Sequence, residues 1–243
     1  MLDPMTRLFP FIALFVGLAF PSFAQDEEDT GREARGRVAW FIAVAVPENL
    51  PVEVPILTGD SVEKVMFPKR EVSRPVKIPA DGLLRVAVPD PNAQDDKLPY
   101  EILAEVRVPE GVQKCLVILV PTVVDGKFRF KSRVQDLRKF GGGDAMYINV
   151  SPKNILVTLG EEKIGLKPGM TQIHSAKGID QAKNVAVRYE VYNEETKKWR
   201  KISASTVRIV PTRREICIFS WDEQRKRPDY HGMSFSVQPE EES

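Results

Sequence analysis

Histidine is nearly missing from this chain, with His174 in "TQIHSAK" and His231 in "RPDYHGM" the only two in 243 residues. That scarcity removes the helical histidine pair of metalloproteases. The glycine-flanked serine turn of hydrolases and the glycine loop that cradles phosphate have no match either. Cysteine is equally scarce: Cys115 and Cys217 are too few for a disulfide framework or a four-thiolate zinc site. Helical periodicity is absent over any long segment, and the best helical candidate is one turn around 136 to 140. After residue 24 no apolar run is long enough to cross a bilayer as a helix.

The start of the chain is what remains of long hydrophobic patterning. "MLDPMTRLFPFIALFVGLAFPSFAQDEED" places Arg7 before an apolar run from Leu8 to Phe20, then Ser22-Phe23-Ala24 before an acidic stretch. Small residues at 22 and 24 fit a signal-peptidase site, so residues 1–24 read as a signal peptide and Gln25 as the mature start. Asp3 is an awkward charge there, and initiation at Met5 gives a cleaner leader. The chain is expected to be exported to a periplasmic or extracellular space, with no membrane span in its mature part.

Beyond the leader, the chain reads as a succession of short strands. Proline outnumbers glycine, 19 to 15, and valine-rich runs are broken about every ten residues by turn formers, the pattern of an all-β sandwich. The chain also resembles itself. "PEGVQKCLVILV" from Pro109 parallels "PTRREICIFSW" from Pro211, each with cysteine six residues on. "ILTGDSVEKVMFP" parallels "VTLGEEKIGLKP", and "WFIAVAVP" parallels "MYINVSP". Near-constant offsets mark an internal repeat. The expected organisation is an acidic arm (25–37), two tandem immunoglobulin-like β-sandwiches (38–140 and 141–237) and an acidic tail (238–243). "KFGGGDAMY" reads as the linker between them. Equivalent cysteines would lie in separate cores, beyond the roughly 7 Å Cα limit for a disulfide, so free buried thiols are expected.

Charge is unevenly spread. Residues 126–221 hold 19 Lys and Arg against 9 Asp and Glu, whereas 38–125 hold 9 against 13. Part of the excess sits in "GKFRFKSRV", where Asp125-Gly126 predicts a tight hairpin turn. Strict alternation then puts Lys127, Arg129, Lys131 and Arg133 on one face and Phe128 and Phe130 on the other. A second cluster is "KKWRK", with Lys197, Lys198, Trp199, Arg200 and Lys201. Together these form a candidate anion-binding surface in a basic second half. The competing reading is a solvated face whose cations are neutralised by the acidic first half and arms.

Candidates for chemistry are sparse. Asp229 and His231 share one face of a strand and are weak candidates for a metal or a general base, with His174 a distant third. No catalytic residue, metal site or cofactor is expected. Nucleic acid is not an expected partner, since no binding-module signature is present.

"PILTGDSVEKV", "YINVSP" and "SASTVRIVPTRREICIFSW" resemble a family of exported bacterial proteins of uncharacterised activity. The resemblance covers nearly the whole chain and implies export without implying chemistry. A remoter similarity is to periplasmic pilus chaperones, which are two immunoglobulin-like domains behind a signal peptide and carry a Pro-x-x-Arg-Glu run like "PTRRE". Here that run falls in the second domain, and the long alternating strand that should precede it is not evident. The expected function is therefore a non-catalytic envelope protein. Its basic half would engage an anionic polymer, a membrane surface or an acidic protein. The alternatives are a hydrolase or metal-dependent enzyme at Asp229 and His231, and a chaperone-like protein.

Overall fold

A computed structural model describes residues 36–48, 50–59, 61–68, 71–93, 99–175 and 180–237. The leader with its two candidate start sites, most of the acidic arm and the acidic tail lie outside the described residues. Among those described, no helix is long and apolar enough to cross a membrane.

The first half forms β1 (Val38–Ala43), β2 (Glu53–Thr58), β3 (Ser61–Met66), β4 (Val76–Lys77), β5 (Leu83–Pro89), β6 (Tyr100–Arg107), β7 (Lys114–Val124) and β8 (Lys127–Asp136). The second forms β9 (Ala145–Asn149), β10 (Ile155–Leu159), β11 (Glu162–Leu166), β12 (Thr171–His174), β13 (Lys183–Asn193), β14 (Lys198–Ile209), β15 (Arg213–Asp222) and β16 (Arg227–Ser236). Their sheets correspond strand for strand. An inner sheet β4-β1-β7-β8 faces an outer sheet β3-β2-β5-β6, and an inner sheet β12-β9-β15-β16 faces an outer sheet β11-β10-β13-β14. In each inner sheet the first strand runs parallel to the seventh, and every other pairing is antiparallel.

The protein is thus two tandem β-sandwiches built by one repeated topology. Immunoglobulin constant domains order their strands A-B-E-D and C-F-G. What is shared with them is the layered architecture, with a strand order particular to this repeat.

Alternation along the inner strands explains the packing. Phe41 of β1 and Cys115, Val117 and Leu119 of β7 point toward the outer sheet and join Val54, Ile56, Leu84 and Val86 in a first core. Tyr147, Val187, Tyr189, Val191, Cys217 and Phe219 make the equivalent second core, with Val185 packed at its margin. The intervening residues form a third. Ile42, Leu116 and Ile118 of the first half meet Met146, Ile148, Ile216 and Ile218 of the second. The layers therefore run outer, inner, inner, outer. The inner strands are covered on both faces, which is why "CLVILV" and "ICIF" read as continuous apolar runs rather than alternating ones.

The junction is tightly packed. Asp136 caps a single 3-10 turn (Leu137–Lys139) by accepting from the Arg138 N–H, as the expected turn at 136 to 140 requires. In the glycine run after that turn, a Cβ on Gly142 would lie 1.6 Å from the Pro211 carbonyl oxygen. The Gly141 N–H donates to Asp144 Oδ2 at 2.6 Å, and the Gly143 N–H donates to the Arg213 carbonyl at 2.8 Å. Gly142 is required by this close backbone approach and Gly143 takes a φ of +82°, so the segment is a fixed corner, not a loose tether.

Candidate anion-binding surface

The hairpin that presents the first basic stripe forms as its sequence dictates. Asp125 and Gly126 take φ of +50° and +74°, the left-handed pair that a two-residue turn needs, and Val124 pairs with Lys127. Phe130 is buried in the first core, 4.9 Å from the edge-on ring of Phe128. On the other face, Lys131 lies opposite Val120 and Arg133 opposite Ile118, so they rim the third core. Arg129 is engaged already, donating to Glu101 Oε1 at 2.8 Å and to the Phe128 carbonyl. Lys127, Lys131 and Arg133 are exposed.

The second cluster lies on a different layer. β14 is the edge of the second outer sheet, whereas β8 is the edge of the first inner sheet, and the second inner sheet stands between those two layers. The stripe and "KKWRK" therefore share neither a sheet nor a face. Nor do the five residues point one way. A bulge between Tyr189 and Glu190 leaves Ile202 unpaired and shifts the register, a device that re-aims side chains. Arg200 then pairs with the buried Val191 and turns to the sandwich mouth, while Trp199 and Lys201 pair with Tyr192 and Glu190 on the outer face. Trp199 stands edge-on to Tyr192 at 5.2 Å and stays 43% exposed. Lys197 closes the turn with φ of +54° and reaches Glu194 at 3.6 Å.

Arg200 opens into a cleft of about 280 Å³ between the β13–β14 and β15–β16 turns. Lys153 adds a cation, Lys226 a second that is paired with Glu223 at 2.8 Å, Trp221 supplies an aromatic wall, and Glu194 and Glu195 lie on the rim. Lys153, Trp221 and Lys226 escape a sequence reading because the fold, not their spacing, assembles them. Among the described residues, no carboxylate lies within ion-pair distance of Lys198, Arg200 or Lys201, and none within that distance of Lys127, Lys131 or Arg133. None of these six cations is ion-paired with an acidic residue of the described first half. Arg214, the arginine of the "PTRRE" run, is structural. Its Nε donates to the Phe140 carbonyl, and its guanidinium lies 5.0 Å over the Phe235 ring.

The weak catalytic candidates do not converge. Asp229 and His231 lie on β16, and His174 lies on β12, the opposite edge of the same sheet. Three strand spacings, roughly 14 Å, separate those edges. Asp229 Oδ1 accepts from the Tyr230 N–H, and His174 Nδ1 faces Glu162 at 3.4 Å. Among the described residues no three His, Cys, Asp or Glu side chains gather as a metal site. Both cysteines are free and buried, and burial pushes each thiol up to about 12, so the nucleophilic thiolate is suppressed. No protein-family model matches the chain, and no curated protein matches it either.

Proposed function

We propose that this is an exported, non-catalytic binding protein whose second repeat holds an anionic envelope polymer along β14 and its cleft. The observation that carries this reading is Arg200. It is an exposed guanidinium with no carboxylate within ion-pair distance among the described residues, set in a cleft with Lys153 and walled by Trp221. Cations in a concave, low-dielectric site focus field more strongly than cations on an open face. A polymer chain fits such a cleft, whereas a bilayer would favour a flat basic face. Lys198 and Lys201 extend the field along the strand. The β8 stripe serves in this reading as the wet face of an edge strand, where lysines discourage pairing with other chains.

The test is binding of polygalacturonate, a polyuronic acid, by the intact protein and by a Lys198→Glu, Arg200→Glu, Lys201→Glu variant. Wild type should bind and the variant should not, with unchanged far-UV circular dichroism. Anionic phospholipid vesicles and an acidic protein serve as parallel probes. Preference for either over the polymer would overturn the assignment, as would a variant that binds like wild type.

A further inference from the structure

The two sandwiches are not equally filled, and the difference is written in their edge strands. In the first, β6 and β8 pack side by side, joined by the Ser132 hydroxyl donating to the Glu105 carbonyl at 3.1 Å and by Arg129 with Glu101. Behind them Phe128, Phe130 and Val134 fill the space between the sheets. In the second, the residues facing inward from β16 are Tyr230, Gly232 and Ser234, and those from β14 include Ser205. Small side chains stand where large ones would be needed to close the sandwich. The result is a cavity of about 350 Å³ between the second inner and outer sheets, within the range of small-molecule sites.

Its lining is graded. Tyr147, Tyr189, Tyr230 and Cys217 form an apolar, aromatic body, and Arg213 and Glu215 stand at one end. Those two charges occupy the inward row of β15; the equivalent positions of the first sandwich, four and two residues before Cys115, are Gly111 and Gln113. Both side chains are partly exposed, Arg213 at 43% and Glu215 at 34%. Arg213 Nε is buried and makes no hydrogen bond; it is ion-paired with Glu215 at 3.8 Å, a distance that leaves its N–H undonated. Burial also holds the Glu215 carboxyl above its ordinary range.

We propose that this cavity binds a small apolar carboxylate, its hydrophobic body against the tyrosines and its carboxylate on the guanidinium of Arg213. Planar pairing of guanidinium with carboxylate supplies the orientation, and the apolar walls supply the affinity. The site is separate from the polymer cleft and does not depend on it.

The experiment is calorimetric titration of the intact protein at neutral pH with 4-phenylbutyrate, and with 4-phenylbutylamine as the cationic counterpart. The acid should bind saturably, and the amine at least tenfold more weakly. Arg213→Gln should weaken the acid by about tenfold or more, the worth of a charge-assisted hydrogen bond. Gly232→Leu and Ser205→Leu should each abolish binding by filling the space. A Cβ at Gly232 meets nothing closer than the Ile216 carbonyl oxygen at 3.8 Å, and Ser205 offers a second route from the facing strand should one variant misfold. The β14 charge-reversal variant should bind the acid like wild type, which separates this site from the polymer site. Absence of saturable binding to wild type would overturn the proposal, as would equal binding of acid and amine or undiminished binding by folded filling variants.

Discussion

Phe130 carries much of what the basic stripe costs and gives. Its ring is 5% exposed and meets Phe67 edge-on at 6.5 Å as well as Phe128, so the strand that displays four cations is fastened by aromatic packing on its other side. Phe130→Ala should cost about 3 to 5 kcal/mol in urea unfolding, and Phe128→Ala less, since that ring is only partly buried. The cysteines make a second residue-scale test. Each thiol is buried in a different core and held protonated at neutral pH, so neither should react with iodoacetamide in the native protein. In denaturant without reductant, mass spectrometry should find both alkylated. A recovered Cys115–Cys217 peptide would contradict the separation of the two cores.

At the scale of elements, the glycine corner shows what spacing can and cannot reveal. "GGG" is visible as a break, but only the fold shows that Gly142 abuts the Pro211 carbonyl. Gly142→Ala should therefore lower the urea midpoint clearly. Gly165→Ala, whose Cβ would meet nothing within 4 Å, should stay within about 0.5 kcal/mol of wild type. The hairpin at Asp125-Gly126 and the burial of the phenylalanines were legible, because turn chemistry and period-two alternation are local. So was the repeat, since the same strand order requires similar runs in both halves. The third core was half legible. "CLVILV" announces a strand covered on both faces, but no local pattern names Met146 and Ile218 as its cover. The bulge that turns Arg200 to the sandwich mouth was not legible, because it arises from pairing between strands. The union of Arg200, Lys153 and Trp221 was hidden for the same reason.

For the molecule as a whole, packing and charge divide the labour. The third core joins the two inner sheets through Ile42, Leu116, Ile118, Met146, Ile148, Ile216 and Ile218. The near-neutral total, a formal +1, conceals a second half rich in cations. Six of the eight basic residues in the stripe and cluster have no carboxylate within ion-pair distance among the described residues; Arg129 and Lys197 are the two that do. Burying such charges would be costly, and leaving them in water costs little, so their number is no requirement of stability. The three on β14, Lys198, Arg200 and Lys201, are the basis of the proposed function. The most direct test is the affinity for polygalacturonate between about 0.01 M and about 0.15 M salt, over which the screening length falls from about 30 Å to about 8 Å. The account predicts that wild-type affinity falls steeply across that range. Lys127→Glu, Lys131→Glu, Arg133→Glu should retain binding, and Lys198→Glu, Arg200→Glu, Lys201→Glu should fail to bind even at the lowest salt. An affinity that stays flat with salt, or a β14 variant that tracks the wild-type curve, would contradict it.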